Sequence, residues 1–156
     1  MQRNLHSAVL SVLAGILMFG LAGCGPARSI PVLMYHHIAP DPGGDVWTVS
    51  TAEFHRQIAD LQAAGYRTIL PQDLEPRRRW KLRFVRKPIL ITFDDGLLSV
   101  KTEAEPVLRA AGFQGISYLI LDALAETPAE RRKYHDYDCL TWEEIRELQA
   151  RGTVAF

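Results

Sequence analysis

Lys87-Pro-Ile-Leu-Ile-Thr-Phe-Asp-Asp-Gly96 is the stretch on which the reading of this chain turns. Ile89–Phe93 is nearly all apolar or β-branched, the composition of a strand covered on both faces, as strands of parallel sheets are. Two carboxylates, Asp94 and Asp95, follow at once. Side by side at the end of a buried strand they repel each other and lose hydration, unless a cation or hydrogen-bond donors offset both costs. Asp-Gly is also a common turn pair, so taken alone the stretch reads equally well as a plain turn. Its neighbours decide between the two.

The flanking chain repeats one local pattern. Ile30–Tyr35 is a short apolar run between turn residues and reads as a buried strand. Ser50 and Glu53 have capping-box spacing and open a helix whose apolar face is Phe54, Ile58 and Leu61. Tyr66–Leu70 reads as the next strand. After Ile89–Phe93, a helix is expected from about Ser99 to Ala111, with a late start or kink at Pro106. Gly115–Leu121 reads as a further strand, and Thr141 with Glu144 forms a second capping box ahead of Trp142, Ile145 and Leu148. Three helix ends look alike, closing on Gly65, Gly112 and Gly152, each placed to take the left-handed conformation before a strand. Alternating helices and apolar strands imply an α/β fold with mainly parallel strands. Right-handed crossovers then gather the strand ends on one face, where such folds carry their chemistry.

The 156 residues carry 18 Lys+Arg and 18 Asp+Glu, a formal net charge of zero. That balance excludes a strongly basic nucleic-acid binder and a long acidic disordered chain, so no nucleic-acid partner is expected. Cys24 and Cys139 are too few for a disulfide scaffold or a cysteine-only zinc site. Cys139 is expected to be a small buried hydrophobe.

Residues 1–23 read as a secretory signal: Arg3, then an apolar run from Ala8 to Phe19, with no further charge before Arg28. Leu21-Ala-Gly-Cys24 resembles the lipobox of bacterial lipoproteins, which implies acylation of Cys24 and a short tether over residues 24–29. An exported protein, lipid-anchored in the cell envelope, is the expectation. Gly25 rather than Asp after the cysteine favours, by analogy, the outer membrane on its periplasmic face.

Tyr35-His36-His37 ends the first strand as Asp94-Asp95 ends the central one. If the strand ends converge, an imidazole approaches the carboxylates, able to bind metal when neutral or to donate a proton when charged. Lys87–Gly96 resembles the first motif, Thr-Phe-Asp-Asp-Gly, of the polysaccharide deacetylases of carbohydrate esterase family 4, the NodB homology domain. Similar stretches are Pro31-Val-Leu-Met-Tyr-His-His-Ile38, Phe54 through Gly65-Tyr66, Gly112-Phe113 and Leu140-Thr-Trp-Glu-Glu144. The Tyr-His element is particularly similar to the branch that deacetylates exported poly-N-acetylglucosamine.

The resemblance implies an incomplete, distorted (β/α) barrel over residues 30–156, with the NodB-like core from about residue 87. It implies hydrolysis of acetyl groups on an acetylated polysaccharide. Carried over by position, Asp94 is the general base, Asp95 a ligand of a divalent metal, usually zinc, and His36 the general acid. His37 is the alternative acid, although along a strand its side chain faces the other way.

The family's second motif, His-Ser/Thr-x-x-His, supplies two further metal ligands and is absent from these residues. A catalytic zinc takes about three protein ligands. His55, on the first helix, and His135, in the charged stretch Arg131–Asp138, are read as a solvated helix residue and a loop residue. A truncated deacetylase with little or no activity of its own is therefore expected, with an open edge at its last strand. Two other classes compete with it: a non-catalytic glycan-binding envelope lipoprotein, and a phosphorylation receiver domain, which the export signal opposes. Seven of the eleven residues Arg77–Lys87 are basic. They read as an exposed loop or as a surface attracted to anionic lipid headgroups.

Overall fold

The computed structural model describes residues 29–156, so the expected signal segment and Cys24 lie outside the described residues. Pro88–Phe93 forms β5, buried from Ile89 onward, and the other elements are arranged around it. In chain order they are β1 (Val32–Tyr35), β2 (His37–Ala39), β3 (Thr48–Ser50), α1 (Thr51–Ala63) and β4 (Arg67–Thr68) before it. After it come α2 (Glu105–Ala111), β6 (Gly115–Ser117), β7 (Lys133–Tyr134), β8 (Tyr137–Asp138), α3 (Trp142–Arg151) and β9 (Val154–Ala155).

The main sheet is parallel throughout, in the order β1-β5-β6-β9, and β4 pairs with the first two residues of β5. Helices alternate with these strands, giving an α/β fold that matches part of a distorted (β/α) barrel, as expected. Register is what matters for function. Tyr35 lies opposite Phe93, and Phe93 opposite Ser117. The residues that follow, His36, Asp94 and Tyr118, therefore leave the sheet at one level. Asp94 N–H still donates to the Tyr35 carbonyl at 2.8 Å, which holds the two strand exits together.

Side chains from both helical layers fix that level. The Tyr35 ring stands edge-on to Phe54 of α1, with centroids 5.1 Å apart, and stacks on Phe93 at 5.8 Å. Leu108 of α2 and Leu148 of α3 are fully buried in the same core. The three repeated helix ends behave alike: Gly65, Gly112 and Gly152 all adopt positive φ. Pro106 sits in the first turn of α2, where its missing N–H costs nothing, and the residues before it, Val100–Ala104, form a wider π-type turn. That is the late start the proline predicted.

Several elements differ from expectation. The first strand begins at Val32 and is half exposed, with Val32 at 55% and Met34 at 59%, because among the described residues only its β5 side is paired and one face is uncovered. Tyr66–Leu70 shrinks to Arg67–Thr68, since only two residues find partners on β5. Gly115–Leu121 ends at Ser117, and Leu121–Ala123 turns into a short 3-10 helix. The Ser50–Glu53 capping box closes on one side only: Ser50 Oγ accepts from Glu53 N–H, while the Glu53 carboxylate is taken by Arg56 and Gln57. Cys139 is a free, fully buried thiol, as expected. No helix among the described residues is long and apolar enough to cross a membrane.

Candidate active site

Beyond β5 the chain makes an abrupt turn. Asp95 adopts φ 68° and Gly96 φ 66°, two successive left-handed residues. Glycine is needed at the second, because a Cβ there would stand 2.7 Å from the Leu119 side chain as well as in a strained conformation. The first is strained for any residue with a side chain, although Asp tolerates it better than most. Hydrogen bonds to the segment after β8 hold the turn: Leu98 N–H donates to the Asp138 carbonyl and Leu140 N–H to the Gly96 carbonyl, both at 2.8 Å.

This turn brings Asp95 into a cavity of about 280 Å³, lined also by His36, Trp47, Leu97, Tyr134, His135 and Tyr137. His36, just past β1, lies against the Trp47 indole with ring centroids 4.9 Å apart. Asp94 is half-buried and opens on a neighbouring, shallower concavity with Met34, Thr92 and Tyr118, which Asp95 also borders. The structure thus brings Asp95 and His36 onto one cavity and places Asp94 beside it. Cys24 lies outside the described residues.

His37 points elsewhere, as strand alternation predicts. Its Nδ1 lies 3.1 Å from Ser99 Oγ, and its ring stacks on Tyr137 at 4.3 Å. Burial lowers its pKa, against the opposing pull of Asp45 and Glu103.

The far wall of the cavity is the β7–β8 hairpin. Tyr134 and Tyr137 pair across it, and His135 occupies its turn with φ 51°. Among the described residues Asp95 and His135 are the two non-glycine positions with positive φ, and both line this one cavity. Such strain collects at functional sites, where the surrounding structure over-determines the backbone. His135 is a turn residue, in keeping with its reading as a loop residue, and the hairpin turn it occupies lies at this cavity. His55 is exposed on α1, as expected.

Two anchors position the hairpin. Tyr137 O–H donates to Asp45, in the loop before β3, and Thr48 O–H donates to the same carboxylate. Hydrogen bonds from Thr48, Tyr137 and the Trp47 N–H hold the Asp45 carboxyl below its usual range. On the other side Arg131 donates both guanidinium arms to Glu144, at 2.8 and 2.9 Å, and one arm to the Cys139 carbonyl at 2.6 Å. Trp47, Tyr134, His135 and Tyr137 were not singled out as site residues from sequence. For the last three the signal was the run Lys133-Tyr-His-Asp-Tyr-Asp138, two strand-like pairs around a turn, which the surrounding charge made look like a loop.

For a divalent metal, Asp95 offers a carboxylate, and His36 and His135 line the same cavity. Among the described residues no three His, Cys, Asp or Glu side chains are grouped closely enough to hold one. These residues do not by themselves complete a metal site.

A cavity at the carboxyl ends of parallel strands, lined by Asp95 and His36 with Asp94 beside it, lies where folds of the (β/α) barrel type carry their chemistry. No family model matches the chain. It is 30% identical over 127 residues to the polysaccharide deacetylase-type protein YxkH of Bacillus subtilis (strain 168), covering 81% of this chain and 40% of that one. The poly-beta-1,6-N-acetyl-D-glucosamine N-deacetylase of Escherichia coli (strain K12) is 22% identical over 130 residues, covering 79% of this chain and 19% of that protein. The structure of IcaB from Ammonifex degensii superposes with a TM-score of 0.66 at 28% identity, over 83% of this chain and 52% of that one. These matches make the chain similar to the polysaccharide deacetylases of carbohydrate esterase family 4. It spans less than half the length of the Bacillus relative.

Proposed function

We propose that these residues carry the proton-handling part of a site that hydrolyses acetyl groups from a polysaccharide of the N-acetylglucosamine type. The supporting observation is the shared level at which His36 leaves β1 and Asp94-Asp95 leave β5. Asp94, half-buried, takes a proton from water as the water oxygen attacks the acetyl carbonyl. The resulting tetrahedral adduct collapses when the departing amine receives a proton. His36 gives that proton as the imidazolium and returns to the neutral ring. Acetate and a free amino sugar are the products. Trp47, Tyr134 and Tyr137 offer apolar ring faces on which a sugar can lie. A divalent metal, zinc by family resemblance, would take Asp95 as one of its ligands.

Export and acylation of Cys24 complete the proposal, with the chain held at the envelope beside the glycan it acts on. Mass spectrometry of membrane-extracted protein is expected to find a lipid on an N-terminal Cys24, and an unmodified Met1 contradicts the anchor.

The test of function is titration of the purified protein with acetylated glucosamine oligomers, followed by acetate release with and without chelator. Binding that is weakened by Trp47→Ala is expected. Acetate release is expected to be slow or absent, to vanish in Asp94→Asn, and to fall with chelator. Absence of both binding and release sinks the assignment. A second reading, glycan binding without catalysis, is favoured by the incomplete metal set. Oligomer binding that ignores metal and chelator, with no acetate released, selects it.

A further inference from the structure

We propose that the segment Arg77–Arg86 is a docking surface for a membrane rich in anionic phospholipid, on a face distinct from the acetyl-hydrolysing cavity. Arg79–Phe84 is a short 3-10 helix with no buried residue. Around it Arg77, Arg78, Arg79, Lys81, Arg83 and Arg86 are all exposed. Every ion pair found among the described residues lies elsewhere, so none of these six cations has a carboxylate partner. A chain of zero net charge has thus gathered unpaired positive charge on one element.

Charge alone suits any polyanion, and the apolar groups between the cations narrow the choice. Trp80 is 57% exposed and Phe84 78%, their rings packed edge-to-face with centroids 6.3 Å apart. Beside them is a cavity of about 650 Å³ floored by Ile30, Leu74, Leu82 and Val85, with Arg79 and Arg83 at its rim. Indole and phenyl rings alternating with guanidinium groups match the headgroup level of a bilayer, where Trp prefers to sit and basic residues meet lipid phosphate. Ile30 contributes to that cavity, so the chain enters the fold at this same face. Five residues lie between it and Cys24, at most about 20 Å of extended chain.

The experiment uses full-length protein carrying Cys24→Ala, which removes any acyl chain, and vesicles of pure phosphatidylcholine or with one third phosphatidylglycerol. Anionic vesicles are expected to bind it well and neutral ones weakly, with binding falling steeply from about 50 to about 300 mM salt as the screening length, ~10 Å at 0.1 M, shortens. A variant with Arg77, Arg78, Arg79, Lys81 and Arg83 all changed to Gln retains the same N-terminal run and is expected to lose about a hundredfold in affinity for anionic vesicles. Trp80→Ala with Phe84→Ala is expected to lose roughly tenfold. Independently of any loss-of-binding variant, brominated lipid is expected to quench the fluorescence that Trp80→Phe removes. Equal binding to both vesicle types, full binding by the five-Gln variant, an unquenched Trp80 in the bound protein, or tighter binding to DNA than to vesicles each overturns the proposal. None of these readouts depends on acetyl hydrolysis, so this proposal and the enzymatic one fail separately.

Discussion

Two helices of this protein start with the same four-residue signal and finish differently. At Thr141 the capping box closes in both directions: Thr141 Oγ1 accepts from Glu144 N–H, and the Glu144 carboxylate accepts from Thr141 N–H. At Ser50 only the first bond forms, and Glu53 turns outward to Arg56. Burial makes the difference. The Glu144 side chain is 7% exposed and Arg131 and Lys101 converge on it, so its remaining lone pairs are satisfied inside the fold. Glu53 lies in water, where neighbouring cations compete on equal terms. A local motif nominates partners, and tertiary surroundings choose among them.

The largest test of that contrast is removal of each carboxylate. Glu144→Ala leaves Arg131 unpaired at the edge of the core and is expected to cost about 3 kcal/mol in urea unfolding. It is also expected to weaken oligosaccharide binding, since Arg131 holds the Cys139 carbonyl just after the hairpin. Glu53→Ala is expected to leave the unfolding midpoint unchanged. Equal losses at the two sites break the comparison.

Acid titration sharpens it. Burial, the strongest influence, pushes the Glu144 carboxyl up, and hydrogen bonds from Arg131 and Thr141 with the charges of Arg131 and Lys101 outweigh it, leaving it below its ordinary value of 4.5. A carboxyl depressed in the fold contributes its full stability above the unfolded value and loses it as pH falls through the folded one. The stability gap between the parent and Glu144→Gln is therefore expected to stay constant above pH 4.5 and to narrow below it. Glu53 is held at about 2 by Arg56 and Gln57, yet it is exposed, so Glu53→Gln is expected to show no such gap at any pH.

Smaller effects probe what the closed box supports. The segment it anchors holds the left-handed turn at Asp95. Asp95→Gly is expected to raise stability by up to about 1 kcal/mol while acetate release is lost, the mark of strain kept for function. Tyr137→Phe removes the bond to Asp45 and frees one anchor of the hairpin. A few-fold weaker affinity for acetylated oligomers, with the melting temperature unchanged, is the expected result.

The central strand, the two aspartates at its end and the later helix caps were legible because each depends on residues within four positions along the chain. Val32 and Met34 misled because an apolar run reads as buried whether or not anything covers it. The hairpin wall was illegible for a different reason. Tyr134 and Tyr137 reach the cavity only through the Asp45 and Arg131 anchors, and Asp45 lies 92 residues from Tyr137 in the chain.

Sequence by itself determined the parallel α/β arrangement, the place of Asp94-Asp95 at a strand end and the resemblance that gives them chemistry, because strand composition and turn residues act locally. The tertiary structure alone decided that Asp95 and His36 meet on one cavity, that His135 joins them, and which carboxylate closes its cap. Cavity membership depends on register between distant strands and on two strained turns, and both are set by packing across the whole sheet.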